Sequence, residues 1–176
     1  HPSDPVLEPD LTPEPGDDVL RAPEPDGAPI HTADSTERRV STSGSDTGDC
    51  TVTACATIAY AVGQSVSGDT IRIAAGTYAN TNVYTSKNLT FMGDDLDTTI
   101  LDGGDTDSVI YCTANVPITI MDMTIQNGNT GTTGGGVRSD GDVTLQHVKL
   151  TSNNAGTYGG GIYTAGNLTI TGDVII

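Results

Sequence analysis

The chain has 176 residues, a formal net charge of −16, and seven aromatics (six Tyr, one Phe) with no Trp. So acidic a surface repels phosphate backbones and excludes nucleic acid as a partner class, and so few rings exclude a core built on large aromatics. The 22 Gly, with abundant Thr, Asp and Asn, point to turns and β structure.

Residues 1–49 hold 12 acids and 3 bases, a net of −9, and eight of the nine prolines. Their apolar residues are scattered, so the segment reads as an extended acidic tail that cannot bury enough surface to offset its ordering entropy. No signal peptide is visible and His1 is not a natural start, which reads as a processed mature chain or an excised piece. Residues 50–176 hold 11 acids and 4 bases, a net of −7, and every one of those acids is Asp. No run in the chain is long and apolar enough to cross a bilayer.

Cys50 and Cys55 are close enough for a short disulfide, which would suit secretion; two reduced thiols are the alternative. Cys112 is left over and reads as a small buried apolar residue. Zinc is not expected, because no CxxC or HxxxH pairing occurs. The segment CATIAYAVGQSVSGD (55–69) places Ile58, Val62 and Val66 at i, i+4 and i+8, with Cys55 and Ala59 flanking that face. This predicts a short amphipathic helix stopped by Gly68-Asp69. Ile71 and Ile73 then alternate with Thr70 and Arg72 as a strand.

From residue 98 a repeat appears. TTILDGG (98–104) aligns with MTIQNGN (123–129) and VKLTSNN (148–154), each 25 residues on. PITI (117–120), DVTL (142–145) and NLTI (167–170) follow the same offset, as do the triple glycines Gly134–Gly136 and Gly159–Gly161. A period in the twenties with short strands and turn residues is the signature of a solenoid. Each repeat is expected to hold three strands, around Ile118–Ile120, Met123–Ile125 and Val137–Ser139. Successive coils would then stack Ile118/Val143/Leu168 and Ile120/Leu145/Ile170 inward and Thr119/Thr144/Thr169 outward, about 4.8 Å apart.

The glycines are expected at sharp corners that need φ > 0 and tight stacking. Asn127, Asn153 and Asn154 are expected at another corner, where Asn tolerates the left-handed region and forms side-chain ladders. A phosphate-binding loop is not expected at the triple glycine, because a strand follows it rather than a helix.

The stretches GGGIYTAGNLTI (159–170), GGGVRSDGDVTL (134–145) and CATIAYAVGQSVSGDTIRIAAGTY (55–78) resemble the right-handed parallel β-helix (pectin lyase-like) proteins, in particular secreted bacterial repeat proteins of the polymorphic outer-membrane-protein type. The resemblance covers roughly residues 50–176. It implies an all-β, right-handed parallel β-helix and a helix over Cys55–Val66 capping its N-terminal end. The expected organisation is therefore a Pro/Ser/Thr-rich tail over 1–49, a capping segment with a disulfide over 50–68, and about four coils over 69–176. The C-terminal end is expected to be uncapped, with Val174, Ile175 and Ile176 on an apolar rung and unpaired strand edges.

Candidate chemistry is sparse. A calcium site is a weak expectation at Asp94, Asp95, Asp97, Asp102, Asp105 and Asp107, whose spacing fits neither an EF-hand nor a nonapeptide pattern. No other cofactor is expected. Arg138 near Asp140 and Asp142 reads as a surface ion pair rather than a catalytic group. Asp122 and Asp140 are the carboxylates a glycosidase would use, but nothing in the sequence pairs them. His147 is expected to face solvent, outside any triad. Tyr158 and Tyr163 flank a glycine corner and are expected as ordinary tyrosines, with sugar stacking as the alternative. Asn88 and Asn167 each open an NLT acceptor pattern for glycosylation, and residues 32–48 are a compositional candidate for O-glycans.

These residues lead to an expectation of a non-catalytic, extracellular structural protein. It would self-assemble end to end through Ile58 and Val62 at one end and Val174, Ile175 and Ile176 at the other, with contacts from the tail. An adhesin-like or carbohydrate-binding surface module is the alternative, and a polysaccharide lyase or hydrolase a more distant one.

Overall fold

The computed structural model describes residues 35–176. The extended tail expected over residues 1–34 lies outside them. The elements are β1 (Glu37–Val40), α1 (Ile58–Gln64), β2 (Thr70–Ile73), β3 (Gly76–Tyr78), β4 (Val83–Thr85), β5 (Thr90–Gly93), β6 (Thr99–Asp102) and β7 (Ile110–Cys112). They continue with β8 (Ile118–Gln126), β9 (Asn129–Thr130), β10 (Val137–Ser139), β11 (Val143–Thr151), β12 (Asn154–Ala155), β13 (Ile162–Thr164) and β14 (Leu168–Ile175). Every strand pair is parallel.

One sheet runs β1-β2-β5-β8-β11-β14, with β3 and β6 joining it through β8; a second runs β4-β7-β10-β13; β9 and β12 form a third. This is an all-β parallel β-solenoid of about four coils with one short helix.

The predicted columns form. Ile118, Val143 and Leu168 stand in register, as do Ile120, Leu145 and Ile170, and Phe91 and Ile71 extend the second column. Phe91, Ile71, Ile120 and Leu145 are fully buried. The Thr column is longer than expected, running Thr70, Thr90, Thr119, Thr144, Thr169 on the outer face. Val83, Ile110, Val137 and Ile162 line the second sheet on the inside.

Several expectations are corrected. Residues 37–40 were assigned to the tail; they form β1, the first strand of the main sheet. ERRV carries three charges in four residues, which hides its alternating burial. The helix spans only Ile58–Gln64, and Val66 lies beyond it, more than half exposed. Ala61 takes the buried place expected of Ala59.

The alignment of residues 98–104 slips by one. Leu101 pairs with Ile125, an offset of 24, so Leu101 faces inward and Ile100 outward. A one-residue slip exchanges the two faces of a strand. The strands expected around Ile118–Ile120 and Met123–Ile125 run as one element that bends at Asp122, whose φ is 57°. His147 and Gly172 hold the same corner in the next two coils, at φ 48° and 82°. The His147 ring lies against Gly172, where a Cβ would meet its Nε2 at 2.8 Å.

The triple glycines divide their work. Gly134 and Gly159 have φ of 69° and 66°, in the left-handed region that costs a side-chain-bearing residue free energy. Gly135 and Gly136 have ordinary φ but almost no room: a Cβ on Gly136 would lie 2.5 Å from the Gly161 carbonyl oxygen. The two glycine corners pair through Gly135 N–H to Gly159 O and Gly136 N–H to Gly160 O, at 3.2 and 2.9 Å. At the Asn corner, Asn127 is left-handed with φ 54°, and Asn154 Nδ2 donates to Asn129 Oδ1 at 3.0 Å. Asn153 accepts from Gly128 N–H and donates to the Ile125 carbonyl, both at 2.9 Å.

The N-terminal end is closed. Cys50 and Cys55 are disulfide-bonded, with Cα atoms 5.3 Å apart. The loop they close covers the free edge of β1: Arg39 N–H donates to Cys50 O (2.7 Å), Cys55 N–H to Arg39 O (2.8 Å) and Ser41 N–H to Cys55 O (2.9 Å). An edge strand left bare would be a template for aggregation.

The helix packs on β1, β2 and β4. It is too short to be stable alone, and distant residues hold both its ends. Asp46 accepts from the Ala56 and Thr57 N–H groups and from the Thr57 hydroxyl, at 2.8–2.9 Å. Lys87 Nζ donates to the Val62 and Ser65 carbonyls at 2.7 Å, placing a cation at the negative end of the helix dipole. Replacing Cys50 and Cys55 by Ser is expected to lower stability by about 2 kcal/mol, the chain-entropy value for so short a loop. Urea denaturation of the two proteins checks it.

Candidate functional site

Inward-facing β1 residue Arg38 stands over Ile71 where the coils below carry aliphatics. Its Nε donates to Asp69 Oδ2 at 2.7 Å and a second nitrogen to the Asp49 carbonyl at 2.7 Å. Asp69, expected as a helix stop, is buried to 1% exposure and also accepts from Val66 N–H and Thr36 N–H. Burial pushes its carboxyl up. The hydrogen bonds from Val66, Arg38 and Thr36 outweigh that and hold it below the ordinary carboxylate value. The pair closes the core beneath the cap and is structural.

The six calcium candidates do not converge; among the described residues no three His, Cys, Asp or Glu side chains are grouped to hold a metal. Asp94 pairs with Arg72 at 3.0 Å and accepts from Ala75 N–H. Asp95 accepts from Asp97 N–H within its own turn. Asp102 accepts from Gln126 Nε2 and Asn127 Nδ2 across the coil, both at 2.8 Å, and from Gly104 N–H. The Gln126 bond is the chief reason its carboxyl sits below the ordinary value. Asp105 is a left-handed turn residue. Asp107 accepts from the Tyr84 hydroxyl and from Ser108 N–H.

Arg138 is not paired with Asp140 or Asp142. Its register partners on the outer face of the second sheet are Tyr111 and Tyr163, and Tyr84 precedes them. The guanidinium lies 4.3 Å from the Tyr111 ring centre, and Tyr84 meets Tyr111 edge-on at 5.7 Å. Stacking in a column is what a solenoid imposes on outward rings, and the cation–π contact compensates the missing carboxylate. Asp142 instead accepts from Asn167 N–H at 2.7 Å.

His147 is exposed, as expected, with Nδ1 3.3 Å from Asp122 Oδ1. Cys112 is buried and free. It stands in a column with Thr85, Ser139 and Thr164, whose hydroxyls each accept the N–H two residues on. Asn88 and Asn167 both lie exposed in turns just before strands.

The largest concavity among these residues was not anticipated. It is a cleft of about 380 Å³ between the first turn of α1 and the β3–β4 turn. Ala56, Ile58, Ala59 and Ala79 supply apolar surface, and Thr42, Thr77 and Asn80 supply hydroxyl and amide groups. Those three side chains have no protein hydrogen-bond partner among the described residues. Only the left-handed signal at Tyr-Ala-Asn-Thr (78–81) was present in the sequence, and the helix that forms the opposite wall is distant from it.

No protein-family model matches the chain, and no curated protein matches it.

Proposed function

We propose that the chain is a non-catalytic extracellular structural protein, a rigid surface solenoid that pairs coil on coil with a second copy. The observation that carries this reading is the state of the β14 rung. Leu168 and Ile170 stand in register over Val143 and Leu145, yet are 40% and 50% exposed on the edge strand of the main sheet. Ile175 and Ile176 add to the same surface. A further coil of the same pattern is the partner that satisfies both the apolar side chains and the strand edge.

Ile58 and Val62 are buried beneath the chain's own cap, at 2% and 4% exposure, and are not available as assembly contacts. Pairing therefore rests on the β14 side alone, and Val174 is half-buried there already. A disulfide and the resemblance to secreted bacterial polymorphic outer-membrane-protein-type repeats support an extracellular setting. Among the described residues no helix is long and apolar enough to cross a membrane.

Sedimentation velocity on the full chain tests the reading. Concentration-dependent association is expected, and Ile170→Lys should abolish it while leaving the circular dichroism unchanged. A chain that stays monomeric at every concentration, or an Ile170→Lys protein that associates equally, would overturn it.

A further inference from the structure

We infer that the cleft between α1 and the β3–β4 turn binds one neutral pyranose ring, free or at the end of a glycan. Its volume, about 380 Å³, lies at the small end of ligand sites, which run from roughly 300 to 1,000 Å³. A single ring with its substituents suits that space better than an extended chain.

The lining has the two-sided chemistry of a sugar. Ala56, Ala59 and Ala79 offer apolar contact to the C–H face, and the Thr42 and Thr77 hydroxyls and the Asn80 amide offer donors and acceptors to the ring hydroxyls. No Asp, Glu, Lys, Arg or His lines the cleft. Tyr78 is the one titratable group there, and its hydroxyl is spent on the Ala74 carbonyl at 2.8 Å. Burial first, and then the charge of Asp94, push that phenol up to about 12, so it stays neutral. A charged sugar would find no counter-ion here, and an anionic one would be repelled by a chain of net charge −16.

The polar wall is held in place from behind. Asn80 has φ 54°. Thr81 Oγ1 donates to Tyr78 O at 2.6 Å. Asn82 is fixed by Ser108 O at 3.1 Å and by the Thr106 hydroxyl at 3.0 Å, across to the next coil. Ligand binding then costs little ordering of the turn. The site lies at the β1–β4 end of the solenoid, remote in sheet order from β14, so it stands independently of the pairing reading.

The experiment is an amide chemical-shift titration of the full chain with D-glucose, D-galactose and N-acetyl-D-glucosamine, and with D-glucuronate as the charged comparison. At least one neutral sugar is expected to shift Thr42, Thr77, Asn80 and the first turn of α1 in a saturable way. Thr77→Ala should weaken that sugar about fivefold, the loss of one hydrogen bond, and Ala79→Phe should abolish the shifts by filling the cleft. Both positions are exposed, and a thermal melt verifies each fold. Comparing the best monosaccharide with its trisaccharide separates a free sugar from a glycan end. The inference is overturned if no neutral sugar moves these residues, if glucuronate binds more tightly, or if both substitutions leave the titration unchanged.

Discussion

Asp69→Ala is expected to destabilise the fold by about 3–5 kcal/mol, the cost of breaking a buried pair by removing one partner. The substitution leaves the Arg38 guanidinium, 11% exposed, facing an apolar gap, and strips the Val66 and Thr36 N–H groups of their acceptor. Because the Asp69 carboxyl is held below its ordinary value in the folded state, its contribution is fully present above that ordinary value. It is lost as pH falls through the folded value. Urea denaturation followed by circular dichroism should therefore show a wide gap between the two proteins at neutral pH and a narrow one in strong acid. Asp69→Leu combined with Arg38→Met should recover much of the loss, since apolar residues of similar volume replace a buried pair at little cost. An Asp69→Ala protein with an unchanged midpoint at neutral pH would remove the pair from the account of the cap.

Gly128→Ala should be equally damaging for a different reason. A Cβ there would overlap the Gly135 carbonyl oxygen of the same coil and press on the Val109 side chain. The obstacle is backbone that is itself hydrogen-bonded to neighbouring coils through Gly135 N–H and Val109 N–H, so neither side can withdraw without unpairing a strand. A loss above about 4 kcal/mol is expected, at the extreme end for a single substitution. Gly131→Ala, three residues on, is the control. A Cβ at Gly131 meets nothing within 4 Å, and the change should stay within about 0.5 kcal/mol. Similar midpoints for the two variants would show that the corner can relax.

The inward columns were legible because medium aliphatics recur at a fixed offset and nothing else in the chain does. The corner glycines were legible as corners, but not which of the three needs its φ and which needs only the space; that depends on the coil above. The slip at Leu101 was not legible, since TTIL offers two apolar neighbours and either could face inward. Strand β1 was hidden because its inward residue is Arg38, a charge made acceptable by Asp69, 31 residues away. The left-handed corner at Asp122 and His147 lacked a glycine to mark it until Gly172. Arg138 was read against its nearest acids in sequence, whereas its neighbour is set by register, 27 residues back at Tyr111. The cleft is the clearest case: its walls come from the helix and from a turn, and no single stretch carries both.

The register also bears on how the molecule assembles itself. Among the described residues, no ladder joins positions farther apart than the 33 residues between Glu37 and Thr70, and the others span 20 to 29. Loop-closure entropy rises only with the logarithm of loop length, so each rung is closed at nearly the same entropic cost as the one before. The kinetic penalty that slows most all-β proteins comes from distant pairings, and this topology has none. The capped end alone presents a finished edge, so ordering can advance in one direction, each rung serving as template for the next as the chain leaves the ribosome.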